Sequence, residues 1–185
     1  MLVCNAATNA ADYPTRPIRL ISPFAPGGGN DIISRTLGAA LSKSLGQSIV
    51  VDNRPGGNTI IAMEMLARST PDGYTLLTTS SSQATNATLY TKLPYDSIKD
   101  FSPVSAVGVS PLVLAVNPAL PIKSVSELIA AAKAKPGALM YPSAGTGNST
   151  HLGGELFAAM AGVTLTHVPY KGLGPGLLDL MGGRL

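Results

Sequence analysis

The chain has 185 residues, 45% hydrophobic and 12% charged, with a formal net charge of +3. That balance fits an ordered protein with a core of its own and excludes a charge-rich disordered chain. Lys and Arg are scattered and do not interleave with the few aromatics, which argues against a nucleic-acid groove. The sole cysteine, Cys4, leaves no intrachain disulfide and no CxxC metal or redox site.

No apolar run approaches the roughly 18 residues that a membrane span needs. The opening "MLVCNAATNAADYP" is rich in small residues and unpatterned, so residues 1–13 are expected to be a disordered tail or the remnant of an export signal. Val3 is too bulky for a lipid-attachment motif at Cys4.

From Ile18 the chain alternates between short apolar runs and helical periodicity. "IRLIS" reads as a strand. "NDIISRTLGAALSKSLG" carries Ile33, Leu37, Ala40, Leu41 and Leu45 at helical spacing and stops at Gly46. "SIVVDN" is a second strand, "RPGG" a break, "NTIIAMEMLARS" a second helix from about Asn58, "PDG" a turn and "YTLLTTS" a third strand. Ser80 to Pro111 reads as an irregular surface excursion, "PLVLAVN" as a buried strand and "PALPIKS" as a stiff connector.

A second series follows. Ser124 and Glu127 form a capping box at the head of "SVSELIAAAKAK". "ALMYPS" is a strand, "AGTGNST" a glycine loop, "HLGGELFAAMAG" a helix, "TLTHVPY" a strand and "GPGLLDLMGGRL" a last helix. Strand–helix alternation of this kind means parallel sheets covered by helices, an α/β fold. The strand–glycine loop–helix unit occurs twice, at Leu20–Asp31 and Met140–His151. The boundary is expected near Asn117–Lys123, giving a first lobe of residues 14–116 and a second of 117–185. With two strands the second lobe is expected to be incomplete.

Glycine-rich turns at helix N-termini let unpaired N–H groups approach an anion closely. One such turn per lobe makes a two-sided clamp. Nucleotide motifs do not fit: "GGGND" lacks the Lys-Ser/Thr of a P-loop, and Ile32 and Thr150 stand where a dinucleotide fingerprint needs glycine. Ser143, Ser149 and His151 form no GxSxG elbow, and no HExxH or carboxylate cluster offers a metal site. His167 reads as structural. Tyr170-Lys171 could present a hydroxyl and a cation to a cleft.

Seven ordered blocks carry a family resemblance: "YPTRPIRLISPFAPGGGNDIISR", "VVDNRPGG", "PDGYTLL", "LPYDSIKDFSPVS", "NPALPIKSVSELIAAAKAKPG", "YPSAGTGNSTHLGGELF" and "HVPYKGLGPGLLDLMGG". From about Tyr13 to Leu185 the chain resembles the TctC/Bug family, the extracytoplasmic solute-binding proteins of tripartite tricarboxylate transporters. The resemblance implies a monomeric, periplasmic, two-lobed Venus flytrap that shuts on a small organic acid and presents it to membrane permease subunits, without catalysis, cofactor or metal. Di- or tricarboxylates, aromatic acids and amino acids are the implied ligands. The implied contacts are Phe24, Ala25, Gly28, Asn30 and Asp31 in the first lobe and Ser143, Ala144, Gly145, Thr146, Gly147 and His151 in the second. Ser81 and Gln83 are implied at the distal end of the ligand.

The family continues past the last helix here, so a C-terminal return segment is expected to be missing. "SSSQATN" also departs from the Gly-Thr-His-rich segment expected there. Asp31 repels an anion unless it turns away, acts through water or meets an ammonium group. An α/β enzyme acting on a carboxylate or phosphate, and a receptor serving a signalling partner, are the alternative expectations.

Overall fold

The computed structural model describes residues 13–185. Cys4 and the remainder of the expected N-terminal tail lie outside those residues. Tyr13 is anchored, its ring edge-on to Tyr74 at 5.1 Å and its hydroxyl donating to the Gly73 carbonyl at 2.7 Å.

The first lobe is built on a parallel sheet in which β1 (Ile18–Ser22) runs between β2 (Ile49–Asn53) and β3 (Thr75–Leu77). The register pairs Ile18 with Ile49 and Arg19 with Thr75. Parallel neighbours require crossover helices, and these are α1 (Gly29–Leu45) and α2 (Ile60–Ala67). β1 is central and therefore nearly continuous in apolar character, with Ile18, Leu20 and Ile21 at 3% exposure or less.

Helix α1 ends at Gly46 in the left-handed conformation, as the sequence signals, but its apolar stripe is not its most buried face. The fully covered residues are Asp31, Ser34 and Gly38, while Ile32 and Ile33 are exposed. Gly38 sets this arrangement: a Cβ there would stand 3.4 Å from the Ile49 side chain, so the helix lies close to β2 along its small-residue edge. Ser34 reaches the end of β3 by a 2.7 Å hydroxyl–hydroxyl bond to Thr78.

The expected excursion between Ser80 and Pro111 contains a helix, α3 (Ser82–Leu89). Its sequence, SQATNATL, is too polar and too rich in β-branched Thr to announce itself. The expected buried strand "PLVLAVN" is corrected: residues 101–116 adopt no regular structure, and Val104, Val109 and Val113 are 85%, 100% and 85% exposed. Apolar runs become strands only where a sheet edge accepts their backbone groups. This segment makes no backbone–backbone hydrogen bond among the described residues.

The second lobe opens with α4 (Val125–Ala134), capped by the expected reciprocal box. Glu127 N–H donates to Ser124 Oγ at 3.2 Å, and Ser124 N–H to Glu127 Oε2 at 3.1 Å. Two parallel strands follow, β4 (Met140–Ser143) and β5 (Thr166–Pro169), joined by α5 (Ser149–Ala161). The last helix, α6 (Leu173–Met181), packs on β4. Buried Asn117 donates to the carbonyls of Leu180 and Met181 at 2.6 and 3.2 Å, tying the connector to the end of α6.

Candidate ligand cleft

In parallel α/β sheets the loops at the carboxyl ends of the strands form the crevice. Here the loops after β1, β2, β4 and β5 converge on one cavity of about 280 Å³. Its walls are Pro23 and Phe24 after β1, Gly56 to Thr59 after β2, Tyr90 after α3, Ala144 to Thr146 after β4, and Pro169 to Lys171 at the end of β5. Among the described residues, Lys171 is the one lining residue that carries a charge.

The first glycine loop is pinned from three directions. Gly27 N–H donates to Asp31 Oδ2 at 3.0 Å, Asn53 Nδ2 donates to the Phe24 carbonyl at 3.0 Å, and Ala25 N–H donates across the cleft to the Lys171 carbonyl at 2.8 Å. Of the residues expected here, Phe24 lies on the cavity wall and Ala25 bridges the lobes. Gly28 caps α1 and packs against the backbone of Leu173 and Gly174. Asn30 turns inward, its Oδ1 accepting from Ser22 at 3.0 Å and Thr78 at 3.1 Å.

Asp31 also turns inward. Its carboxylate accepts from Gly27 N–H, from Arg35 Nε at 3.0 Å and from Asn53 Nδ2 at 2.8 Å. Burial pushes this carboxyl up, but the Arg35, Gly27 and Asn53 hydrogen bonds outweigh it and hold the group below its ordinary 3.8. The negative charge is thereby bound to the fold and withheld from the cleft.

The second glycine loop is anchored just as closely. Ala144 N–H donates to Thr150 Oγ1 at 3.0 Å, Gly145 N–H to Ser143 Oγ at 3.1 Å, and Gly147 N–H to His151 Nδ1 at 3.1 Å. Thr146 lies on the cavity wall, and its N–H has no protein partner among the described residues. The expected second-lobe residues therefore divide. Ala144, Gly145 and Thr146 line the cavity, whereas Ser143, Gly147 and His151 stand behind it and hold the loop. Ser143 is fully buried, with His167 Nε2 2.5 Å from its hydroxyl.

Neither expected distal residue lines the cavity. Ser81 is exposed at the start of α3, and Gln83 Nε2 donates to the Ser97 carbonyl at 3.2 Å. The same segment acts through Asn86, which is fully buried. Its Nδ2 donates to the Asn58 carbonyl at 2.7 Å and to Thr59 Oγ1 at 3.3 Å, while its Oδ1 accepts from Asn58 Nδ2 at 2.7 Å. Asn58 and Thr59 both have positive φ, 47° and 78°, a strained conformation for a β-branched residue. Asn86 holds that strain. The Asn58 amide cannot be turned over, because Asn86 Nδ2 is committed to a carbonyl and only its Oδ1 is left to accept. Asn58 Oδ1 is consequently buried without a partner, against Gly145.

Sequence reasoning identified "RPGG" as a break and passed over it as a site. The signal was present: it is a third glycine turn between a strand and a helix. Tyr170 and Lys171 both lie on the wall, but the expected hydroxyl is not presented there, because Tyr170 donates it to Asp179 Oδ2 at 2.5 Å.

The lobes also touch directly. Thr85 Oγ1 donates to the Gly147 carbonyl at 2.9 Å, and Asn148 Nδ2 to Ser82 Oγ at 3.0 Å. Two backbones meet at Gly172, where a Cβ would stand 2.8 Å from Ala25 N.

Residues 33–185 match the family described as tripartite tricarboxylate transporter family receptor, TctC. The chain belongs to the TctC family. It is 44% identical over 180 residues to protein BugT of Bordetella pertussis, covering 96% of this chain and 55% of BugT. Among solved structures it is similar to R. palustris Rpa4515 with adipate, at 42% identity and a TM-score of 0.91. It is also similar to MatC (Rpa3494) from Rhodopseudomonas palustris with bound malate, at 31% and 0.85. These alignments cover 94% of this chain and 58% and 59% of those chains. The chain thus spans little more than half the length of the relatives it matches. The two-lobed α/β architecture is that of periplasmic binding proteins.

Proposed function

We propose that this TctC-family chain captures a small organic carboxylate between its lobes and belongs to a periplasmic receptor that passes the acid to the permease subunits of a tripartite tricarboxylate transporter. The observation that carries this reading is the charge of the cleft: Lys171 lines it, and the nearby carboxylate of Asp31 is bound away from it. An anion entering there meets the Lys171 cation and the free Thr146 N–H, and no carboxylate among the described lining residues. A volume of about 280 Å³ suits a small acid better than a nucleotide or a drug-sized molecule. The adipate and malate of its structural relatives are of that size and class.

The first lobe comprises residues 14–116 and the second 117–185. The receptor acts as a monomer, without cofactor or metal, and catalyses no reaction. The Ser143–His167 contact is not a nucleophile–base pair, because Ser143 is fully buried and its oxygen accepts from Gly145 N–H. Phe24, Ala144, Gly145 and Thr146 are the expected residues that meet the ligand. Asn58, Tyr90, Tyr170 and Lys171 join them.

A thermal-shift screen of di- and tricarboxylates, aromatic acids and amino acids tests the reading, with nucleotides as the control. At least one carboxylate should raise the melting temperature, and Lys171→Met should weaken that response at least tenfold in concentration. Stabilisation by nucleotides alone would overturn the proposal.

A further inference from the structure

Behind the second glycine loop lies a cluster of ionisable side chains that the cleft does not touch. The His151 and His167 rings are stacked, with centroids 3.9 Å apart and planes 30° from parallel. His151 Nδ1 accepts from Gly147 N–H. The neutral ring therefore carries its proton on Nε2, which points toward Glu155 Oε1 at 3.7 Å. Tyr141 donates to that same carboxylate oxygen at 2.7 Å and packs on His167 with centroids 5.2 Å apart. The Ser143 hydroxyl, which accepts from Gly145 N–H, meets the other ring at His167 Nε2. The two rings are thus attached, one directly and one through Ser143, to the amides on either side of Thr146.

We propose that His151 is a positioning residue for the ligand loop that works only as a neutral imidazole. This rests on the reading of the loop as a ligand wall. Protonating His151 places a proton on Nδ1, facing the Gly147 N–H; two donors then confront each other and the anchor is lost. A proton on His167 does not break its own link, because Nε2–H can donate to Ser143 Oγ once the serine hydroxyl turns. It does set a cation against the His151 ring. The charged and titratable groups facing the pair are Glu155 from α5 and Tyr141 from β4, and of these the Glu155 carboxylate favours a proton on His167. Burial pushes His167 down from its ordinary 6.5, and the neighbouring His151 pushes the same way against the pull of Glu155. Its environment therefore favours a neutral His167.

The consequence is a cleft whose grip weakens on acidification. The test follows the Gly145 and Gly147 amide resonances and both imidazoles by NMR from pH 8 to pH 5, without ligand. Adipate affinity is measured alongside by calorimetry at pH 7.5 and 5.5. The Gly147 amide should move with the protonation of His151, and adipate affinity should fall about tenfold, the equivalent of one lost hydrogen bond. His151→Asn keeps an acceptor at the Nδ1 position but takes up no proton. It should retain adipate binding at pH 7.5 to within about threefold, hold the Gly147 amide steady, and supply the baseline for titration of the acid itself. His151→Leu should lose the anchor at every pH.

A Gly147 amide that stays still while His151 titrates overturns the proposal, as does a pH dependence of affinity that His151→Asn leaves intact. If adipate binds at neither pH, the choice of ligand class is at fault, and the amide titration still decides the role of His151.

Discussion

Individual residues at the cleft separate backbone requirements from side-chain ones. Gly27 and Gly172 both have positive φ, 83° and 135°, but a Cβ at Gly27 would meet open space, whereas at Gly172 it would meet Ala25 N at 2.8 Å. Gly27→Ala should therefore cost about 1 kcal/mol of conformational strain. Gly172→Ala should cost roughly 3 kcal/mol, because a backbone cannot move aside and the Ala25–Lys171 bond is lost with it. Urea denaturation of the two variants measures the difference.

Asp31 gives a second residue-scale prediction. Its carboxylate answers three donors in a buried position, so Asp31→Asn sets an amide hydrogen against at least one of them and should cost about 2 kcal/mol near pH 7. The folded group titrates below 3.8, so its contribution is present above 3.8 and is lost as the pH falls from there through the lower folded value. The stability gap between the native chain and Asp31→Asn should accordingly narrow from pH 5 to pH 3, as followed by denaturation at each pH.

At the scale of elements, legibility in the sequence followed the strength of local signals. The capping box of α4 and the terminal Gly46 of α1 could be read directly, because a cap is a contact between residues three or four apart. The burial of Gly38 could not, since it depends on β2 lying across the helix. The run from Leu112 to Val116 misled for the same reason: apolar character alone does not supply a sheet edge. Amides of residues 102–116 should exchange with solvent close to the intrinsic rate, apart from the prolines, whereas those of β1 should be protected by orders of magnitude. Hydrogen exchange read by mass spectrometry checks this. Protection across 112–116 in the isolated chain would mean that the segment is paired after all.

For the whole molecule, the question is how firmly the two lobes are held shut. The contacts between them include Ala25–Lys171, Thr85–Gly147 and Asn148–Ser82, each a single hydrogen bond worth about 1 kcal/mol net. Single bonds of that size are within reach of a ligand that binds both lobes and biases them toward closure. Replacing Ser82 with Ala and Thr85 with Val together removes two of the three bonds and leaves the Asn148 amide without its partner. The doubly substituted chain should open, with a larger radius of gyration by X-ray scattering than the native chain. An unchanged radius would show that these bonds do not hold the lobes together.

The sequence by itself determined the alternation of strands and helices, the two glycine turns, the caps and the family, because all of these are written in residues close along the chain or in ordered blocks. Only the tertiary structure decided which of those residues face the cleft. It turned Asn30 and Asp31 inward, set Ser143 and His151 behind the loop, and brought Gly56 to Thr59 and Lys171 to the wall. Those outcomes follow from packing and hydrogen bonds between distant segments, the longest such hydrogen bond among the described residues joining Ala25 to Lys171, 146 residues apart, a distance over which no periodicity or motif carries information.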